Sequence, residues 1–520
     1  MFCESNGFMR KCIVASTVIL GLICNVAANG FVSVNVPLDH WSYNDIDKLI
    51  GQGLIDSSMM NTRPVSRLEM ARHIVEADEK FQANCAGGES SEIIKGILGR
   101  LKKEFYQELA LLGTVDGGPL LDFVKPFEDP YVKYLYAKSR PEIENVRGDR
   151  FDENSNLRAG FTSRLQVFDN LGFNIHPEYP WSSESPDRDV KIIEGYGKLG
   201  LGSFEIEAGK DSMFWGPGQH GALIMSNNAD PFKMVKISNP SPISLPWIFR
   251  VLGPVKIVWF LTQLEEDRPI PKPNLTGFRI EFKPHPAVEL GVSRTMIFGG
   301  QGRPAYSFVD YLKAFTGSNE ALTGNKDNDQ LGGFDASVLL PVDSFLPARN
   351  IKLYTEWIGE DEAGGLPQDF GITYGAKFYD IFKTGKTDLT IEYADDHVPG
   401  KANCFYNHGV YRAGYTYDGR IIGHYMGTDS KDLFIRLTHY LSSDIILGLQ
   451  CDKQTSDLSS PPPHPTLGRY QADVTFFTRG NWEIQAGYRH ENANGTPQGN
   501  PVPIRFVDSD IVFVQITYDF

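Results

Sequence analysis

Apolar and polar positions alternate strictly over the last residues of the chain. Gln515, Thr517 and Asp519 are polar and separate a set of apolar or aromatic residues. That apolar set consists of Val512, Val514, Ile516, Tyr518 and Phe520. Because successive side chains of a strand point to opposite faces, the pattern predicts a strand with one apolar face.

The same alternation recurs through residues 130–520. Clear examples lie at residues 161–167, 278–283, 389–393 and 482–489, each with apolar residues on one face and polar or charged residues on the other. A barrel with lipid outside and a polar lumen needs this arrangement in its strands. A large soluble β-sandwich has alternating strands as well and is the alternative.

The spacing of the last predicted strands favours the membrane barrel. These strands are predicted near residues 432–440, 444–452, 470–477, 482–489 and 510–520. Their connections are short and long in turn, and bacterial barrels have short periplasmic turns and long outer loops, so loop 490–509 is expected outside. The final aromatic residue, Phe520, is also typical of outer-membrane barrels. We predict an all-β transmembrane outer-membrane β-barrel over residues 130–520, with about 16 to 20 antiparallel strands.

The N-terminus has the layout of a secretory signal. Arg10 and Lys11 precede an apolar run at residues 12–24, and small residues follow. We predict a signal peptide over residues 1–28 and export of the mature chain in a Gram-negative cell. The best candidate for a membrane-spanning helix, residues 243–262, is interrupted by two prolines and two basic residues, so no spanning helix is expected.

Residues 29–83 read as a small helical module. Asp39-His40-Trp41 opens it, residues 51–55 form a turn, and Ser66-Arg67-Leu68-Glu69 starts a second helix. The segment resembles a single S-layer homology (SLH) domain, in which the last motif is Thr-Arg-Ala-Glu. The resemblance implies that Asp39, Trp41, Arg67 and Glu69 bind peptidoglycan or a secondary cell-wall polymer. In the alternative, Arg67 and Glu69 are ordinary surface charges on a capped helix.

An amphipathic helix is predicted over residues 90–113, after the module and before the barrel. Its apolar residues recur at spacings of three and four: Ile94, Leu98, Leu101, Phe105, Leu109 and Leu112. Such a seam belongs to a short coiled coil or to a helix that lies against another surface. Packing against the periplasmic mouth of the barrel and trimerisation both remain open.

Charge and cysteine content narrow the possible partners. The formal net charge is −15, which argues against nucleic acid as a partner. Attraction to an acidic polysaccharide would therefore have to come from local arginine clusters. Beyond the predicted signal peptide the cysteines are Cys85, Cys404 and Cys451, and a Cys404–Cys451 bridge is possible in an oxidising compartment.

Seven short blocks in the middle of the chain stand out from the strand pattern. They are Phe214–Gly218, Met225–Phe232, Leu264–Arg268, Gly291–Thr295, Gly299–Pro304, Ile358–Asp361 and Glu392–Asp395. In this order and spacing they resemble the capsule assembly family typified by the outer-membrane protein Wzi. The resemblance implies a monomeric outer-membrane barrel, embedded in lipid, that acts as a lectin and holds capsular polysaccharide at the cell surface. An added N-terminal module would tether that barrel to the cell wall.

The blocks supply candidate residues for polysaccharide binding. Trp215 can stack on a sugar ring, and Asn227 and Asn228 offer amide donors and acceptors for hydroxyl groups. Three arginines can hold uronate carboxylates: Arg268, Arg294 and Arg303. The alternative is that all six residues belong to a structural network that fills the lumen.

Two other classes of function are weaker. An SLH-anchored diffusion porin, usually a trimer with an open lumen, fits the helix at 90–113. An enzyme could use Glu265 and Asp267 as a carboxylate pair for glycoside hydrolysis, but the chain carries no recognised catalytic motif. His397, His408 and His424 lack the spacing of metal ligands. We therefore predict a non-enzyme without cofactor or metal.

Overall fold

The computed structural model describes residues 32–83, 89–115, 122–185, 189–315, 326–344, 346–363 and 366–519. The predicted signal peptide, Cys85 and the terminal Phe520 lie outside these ranges. Among the described residues, no helix is long and apolar enough to cross a membrane.

The described chain has four of its helices before the first long strand, and strands make up most of the remainder. The helices are α1 (Ser42–Gly51), α2 (Arg67–Ala83), α3 (Glu89–Glu104), α4 (Tyr106–Leu111) and α5 (Phe308–Phe315), with short 3₁₀ turns at Trp247–Leu252 and Ile381–Lys383. The first strands are β1 (Thr62–Arg63), β2 (Phe123–Ala137), β3 (Asn154–Val167), β4 (Leu171–Ser182), β5 (Lys191–Leu201), β6 (Phe204–Asp211), β7 (Phe214–Trp215), β8 (Phe232–Ser238), β9 (Ile243–Ser244), β10 (Pro254–Gln263), β11 (Asn274–His285) and β12 (Val288–Phe298). The remaining strands are β13 (Asn328–Pro341), β14 (Asn350–Ala363), β15 (Leu366–Tyr379), β16 (Thr387–Asp395), β17 (Thr416–Tyr417), β18 (Arg420–Ile421), β19 (Lys431–Tyr440), β20 (Ile445–Thr455), β21 (Thr466–Phe477), β22 (Trp482–Asn494) and β23 (Ser509–Tyr518).

Eighteen long strands of the described chain close into one antiparallel barrel, which agrees with the predicted range. Strands that follow one another in sequence pair around the barrel wall. The two-residue β9 pairs with β10 beyond the segment of β10 that pairs with β8. The barrel closes where β2 pairs with β23, with Lys133 opposite Gln515. A closed barrel leaves no unpaired strand edge, so its backbone groups are satisfied without water.

The alternation of the strands sorts polar residues inward and apolar residues outward. On β11, Arg279 and Glu281 are almost completely buried, although both are charged. On β23, Val512 and Ile516 are 49% and 41% exposed, whereas Gln515 lines an internal cavity. Apolar side chains on the outside and charged side chains on the inside are the reverse of a soluble core and are typical of a barrel in lipid.

The two ends of the barrel differ in their connections. At one end most connections are short, for example residues 168–170, 202–203 and 441–444. At the other end the connections are long, including residues 396–430 and 495–508. We call these the turn end and the loop end. The alternation of short and long connections predicted for the last five strands is confirmed.

The N-terminal helices are inserted into the turn end. Ile46, Leu49, Ile97 and Leu101 pack with Tyr440 of the wall in one buried apolar cluster. Polar contacts to the wall join the same helices to the strands. They are the Lys48 Nζ–Asp388 Oδ1 ion pair at 2.7 Å and the bond from Asn350 Nδ2 to the Gly51 carbonyl at 2.8 Å.

The helix predicted over residues 90–113 is two helices, α3 and α4, separated by a break at Phe105. The predicted seam is nevertheless buried, because Ile94, Leu98, Phe105 and Leu109 all belong to the apolar cluster of the N-terminal helices. The seam therefore packs within the molecule at the mouth of the barrel, which was one of the two alternatives for it.

Cys404 and Cys451 are both free thiols, so the possible bridge between them is not formed. Cys404 lies in loop 396–430, and burial raises the pKa of its thiol to about 11. A thiol in that state reacts slowly because the thiolate is the nucleophile.

Candidate functional site

The loop end is closed by a segment that returns into the barrel. Residues 212–231, here called the plug segment, leave β6, fold between the walls and then enter β8. Trp215 is fully buried and its ring meets that of Phe260 edge-on, with centroids 5.5 Å apart. Leu223 and Ile224 are also fully buried. The plug segment is thus the centre of an apolar core inside the barrel.

Two carboxylates of the wall hold the plug segment by its backbone. Glu392 on β16 accepts hydrogen bonds from the N–H groups of residues 219, 220 and 221, at 2.6, 3.1 and 3.2 Å. Glu356 on β14 accepts one from the N–H of Leu223 at 2.9 Å. These two residues, which lie in or beside the sequence blocks, are anchors for the plug.

Glycines in the first block allow the plug to fold tightly. Gly216 has φ +129°, a backbone conformation that other residues rarely adopt. A Cβ atom on Gly218 would lie 1.9 Å from the carbonyl oxygen of Gly221. The Gly216-Pro217-Gly218 sequence is therefore explained by close backbone approach within the plug.

Loop 396–430 covers the plug segment from the loop end. The hydroxyl of Tyr406 donates to the carbonyl of Leu223 at 2.6 Å, and that of Tyr415 donates to the carbonyl of Ile224 at 2.9 Å. The tyrosines are fully buried and add their rings to the apolar core. The two segments together fill the lumen below the loop end.

The N-terminal module meets the plug segment inside the lumen. β1 and β7 pair as a two-stranded antiparallel sheet, with Thr62 opposite Trp215 and Arg63 opposite Phe214. The N–H of Gly216 also donates to the carbonyl of Asn61 at 2.8 Å. Chain that enters from the turn end therefore contacts chain that enters from the loop end.

A polar cavity of about 1660 Å³ remains beside this filling. Its lining includes Trp482 near the turn end, Lys133 midway and Lys191 near the loop end, so it follows the first and last strands along the barrel. Asp39 and Arg147 also line it. Their ion pair, with 2.7 Å between Oδ2 and Nη2, crosses the cavity from the N-terminal module to loop 138–153.

Three of the predicted polysaccharide-binding residues, Trp215, Asn227 and Asn228, lie in the plug and are buried. The side-chain amide of Asn228 donates to the carbonyl of Ile421 at 2.9 Å, and that of Asn227 donates to the carbonyl of Asn145 at 3.4 Å. These positions correspond to the structural network that was the alternative reading of the blocks.

The three predicted arginines lie apart and have different internal partners. Arg268 donates to the carbonyls of Gly414 and Thr416 at 3.0 and 3.1 Å, which ties loop 264–273 to loop 396–430. Arg294 on β12 donates to Gln330 of the neighbouring strand. Arg303 pairs with Asp327 within loop 299–327. The structure does not gather these arginines into one cleft.

The residues predicted to bind the cell wall also have partners within the protein. Arg67 is 3% exposed and bonds to Glu104 and Glu108, at 2.6 and 2.8 Å. Burial raises the pKa of Glu104, but the charges of Arg67 and His40 together with a hydrogen bond from Asp519 lower it by more, to about 2. Glu69 is buried and accepts a bond from Arg72 at 2.9 Å.

The other two predicted wall-binding residues face the lumen. Trp41 is buried and packs edge-on against Phe477 of the barrel wall, with ring centroids 5.5 Å apart. Asp39 forms the ion pair with Arg147 described above. Asp39 and Trp41 thus line the polar cavity, whereas Arg67 and Glu69 are not in its lining.

The candidate catalytic carboxylate Glu265 and the three histidines each bond to a different partner within the protein. Glu265 bonds to Arg268 at 3.3 Å. His397 pairs with Asp429 at 2.6 Å, whereas His408 and His424 each accept from backbone N–H groups near them in sequence. Glu265 and Asp267 both line the polar cavity, together with Asp230 and Asp418.

A cleft at the loop end, here called the loop-end cleft, is lined by exposed arginines other than the three predicted from the sequence. The loop-end cleft has a volume of about 260 Å³, close to the lower end for small-ligand pockets, roughly 300 Å³. Arg140, Arg150 and Arg505 are exposed in its lining. Two carboxylates also line it, Glu142 and Glu144.

The charges of the loop-end cleft are only partly balanced. Glu142 bonds to Arg420 at 2.9 Å, so it does not neutralise the exposed arginines. Arg140 is 3.8 Å from Asp152, and Arg150 donates to the backbone carbonyl of Asp418 at 2.7 Å. Arg505 has no acidic partner within the described parts of the chain. The cleft can therefore take a carboxylate by bidentate hydrogen bonds.

Sequence reasoning missed the loop-end cleft because its residues come from four loops that the chain does not place near one another. One signal was available for Arg505, which falls in loop 490–509, predicted to be external. Arg140 and Arg150 flank the acidic pair Glu142 and Glu144, and only the fold shows that these acids turn towards other arginines.

The chain is similar to a protein family, to a curated protein and to solved structures. The family model "Capsule assembly protein Wzi" matches residues 135–497. A protein of Klebsiella pneumoniae described as an uncharacterized 55.8 kDa protein in the cps region is 27% identical over 354 residues, which are 67% of this chain and 63% of that protein. The chain thus spans less than two thirds of the length of that relative.

One of the solved structures is Wzi from Escherichia coli, described as an outer-membrane protein involved in group 1 capsule assembly and as a carbohydrate-binding β-barrel. It superposes with a TM-score of 0.71 at 20% identity, over 94% of this chain and 99% of that one. At 20% identity this likeness shows the fold alone. Because the match covers 94% of this chain, it extends over the N-terminal helices.

Proposed function

The chain belongs to the capsule assembly protein Wzi family, and on that premise we propose that it is an outer-membrane barrel that binds and retains capsular or other surface polysaccharide. The solved relative is described as a carbohydrate-binding outer-membrane barrel of capsule assembly. The loop end faces outward in the proposed orientation, because long loops of bacterial barrels are extracellular and short turns periplasmic.

The observation that carries this proposal is the loop-end cleft on a barrel with a filled lumen. Arg140, Arg150 and Arg505 present guanidinium groups to the outside, whereas the chain as a whole is acidic. Planar guanidinium groups match carboxylates in geometry and stay charged at any physiological pH. The ligand we propose is therefore a polysaccharide that contains uronate or another carboxylate.

The diffusion porin is not favoured as an alternative. A porin needs an open water path, but the N-terminal module and the plug segment meet inside the barrel through β1 and β7. The remaining polar cavity is crossed by the Asp39–Arg147 ion pair. A surface anchor has no need of an open path and gains rigidity from a filled lumen. In this role the protein acts as a monomer.

Attachment of the N-terminal module to the cell wall is a separate part of the proposal. Its support is the SLH-like sequence of residues 29–83. Arg67 and Glu69 are committed to internal ion pairs, so direct contact with a wall polymer would require them to exchange partners. Co-sedimentation of the purified protein with peptidoglycan sacculi tests this part. Protein left in the supernatant removes the tether and leaves the polysaccharide proposal intact.

The main proposal is tested by the partition of surface polysaccharide between cells and medium. A strain that lacks this protein is expected to keep its total polysaccharide but to shed it into the medium. Complementation with the wild type restores retention, whereas R140A/R150A/R505A does not. R479A is the matched control, because Arg479 is exposed at the turn end. An unchanged partition in the deletion strain would refute retention.

A further inference from the structure

His220, Asp432 and Asp452 form a buried cluster where the plug segment meets the wall. One ligand atom from each residue lies within 4.8 Å of the other two. His220 belongs to the plug segment, and the aspartates belong to β19 and β20 near the loop end. All three residues are more than nine-tenths buried. Their proximity arises only in the folded barrel, which is why the sequence spacing of the histidines did not reveal it.

Each member of the cluster has a polar atom without a hydrogen-bond partner. These atoms are His220 Nε2, Asp432 Oδ1 and Asp452 Oδ1. Unpaired buried polar atoms are costly, and three in one cluster of neighbouring residues need a common explanation. The other oxygen of each aspartate is engaged, since Asp432 Oδ2 accepts from Tyr425 at 2.9 Å and Asp452 Oδ2 accepts from Arg469 at 2.6 Å.

We propose that this cluster binds one divalent transition-metal ion, such as Zn²⁺, which fastens the plug segment to the barrel wall. An imidazole nitrogen with two carboxylate oxygens suits such an ion, whereas Ca²⁺ and Mg²⁺ prefer oxygen ligands throughout. Tyr425 and Arg469, which donate to the other aspartate oxygens, are the outer contacts that orient the two carboxylates. The ring of His220 is fixed in turn by stacking on Phe434, at 3.9 Å between centroids.

The charge of the surroundings supports a dication. The buried network around the cluster contains four carboxylates, Asp432, Asp452, Glu144 and Glu491, and two guanidinium groups, Arg469 and Arg489. Fully ionised, this network carries two negative charges in excess. Buried charges are stable only when paired, so one divalent ion balances the network. The proposal is independent of polysaccharide binding.

Metal content of the full-length barrel tests the proposal. The protein is purified in detergent without a polyhistidine tag or chelator and analysed by inductively coupled plasma mass spectrometry, before and after dialysis against Zn²⁺. One metal ion per chain is expected for the wild type. H220Q and D432N are expected to bind Zn²⁺ more than about 100-fold more weakly, because loss of an outer contact alone costs 10- to 100-fold.

H424Q is the matched control. His424 is a second fully buried histidine beside the plug, but it is not part of the cluster, so this variant keeps the metal. If the variants do not fold, Co²⁺ titration of the wild type decides, since a bound site gives a visible d–d spectrum that Zn²⁺ abolishes. A wild-type barrel that takes up neither Zn²⁺ nor Co²⁺, or equal uptake by folded H220Q, would overturn the proposal.

Discussion

Asp39 and Arg147 form an ion pair that joins the N-terminal module to loop 138–153 inside the barrel, with 2.7 Å between Oδ2 and Nη2. Asp39 comes from the N-terminal module at the turn end, and Arg147 comes from a loop that enters from the other end. Arg147 is also 3.7 Å from Glu194 of the wall. Both residues line the polar cavity of about 1660 Å³, so the pair obstructs this cavity.

Removal of this ion pair is expected to increase ion leakage through the barrel. In planar bilayers the wild type should conduct ions poorly at pH 7. R147Q should conduct more, because the ion pair with Asp39 no longer crosses the cavity. R140Q is the control, since Arg140 lies in the same loop but lines the loop-end cleft and not the polar cavity. Equal conductance of R147Q and the wild type would show that another part of the filling blocks the path.

The pH dependence of that leakage follows from Asp39. Burial raises its pKa, but Arg147 and His176 together with a backbone hydrogen bond lower it by more, so the net pKa lies below the ordinary value of 3.8. The pair therefore contributes above that ordinary value and is lost as pH falls through the lowered one. Conductance of the wild type is expected to stay constant from pH 7 to about pH 4 and to rise only below it.

Glu392 is expected to keep the plug segment in place. Glu392 accepts the three backbone N–H groups with both of its oxygens, and in E392Q one of these oxygens becomes an NH₂ donor, so at least one of the bonds is lost. Limited proteolysis should then cut within residues 212–231, which resist cleavage in the wild type. E289Q is the control, because Glu289 is a buried lumen carboxylate that bonds to Lys283 and not to the plug. Equal resistance of E392Q would mean that the apolar core alone holds the segment.

Glu104 is expected to give the N-terminal module a stability that depends on pH. Its pKa of about 2 lies below the ordinary 4.5, so its contribution is present above pH 4.5 and disappears as pH falls towards 2. The size of the shift corresponds to about 3 kcal/mol. E104Q should therefore unfold more easily than the wild type at pH 7 and match it near pH 2, as measured by denaturant titration of helical circular dichroism. A difference that persists at pH 2 would contradict this account.

Trp215 is expected to matter for stability and not for the ligand. Its ring is fully buried against Phe260, so W215A should destabilise the barrel by about 3–5 kcal/mol. Below its melting temperature W215A should bind polysaccharide within twofold of the wild type. A selective loss of binding in a folded W215A would instead support the prediction that this ring stacks on a sugar.

The barrel could be predicted from the sequence because its strands are exposed to lipid on one side only. Residues 243–262 illustrate how local chemistry decided the outcome. Pro246 and Pro254 interrupt a run that is otherwise apolar enough for a helix, and the segment forms a 3₁₀ turn followed by β10. Alternation and proline positions are local properties, so they can be read without the fold.

The candidate site could not be predicted in the same way. The blocks around Trp215 and Asn228 were recognised as unusual, but a stretch that fills a lumen carries the same aromatic and amide residues as one that binds sugar. Arg150 and Arg505 are separated by most of the chain and meet only because the barrel closes between β2 and β23. Contacts of this range depend on the closed topology and leave no local pattern.

Direct binding of an acidic polysaccharide to the purified barrel tests the central claim. Isothermal titration at low salt should show binding to the wild type and to R479A. R150A/R505A should bind at least tenfold more weakly, because each lost charged hydrogen bond is worth about 1.5–3 kcal/mol. The same polysaccharide with its carboxyl groups reduced should bind the wild type as weakly as that variant. Equal affinity of the wild type and R150A/R505A for the acidic polymer would contradict the assignment of the loop-end cleft.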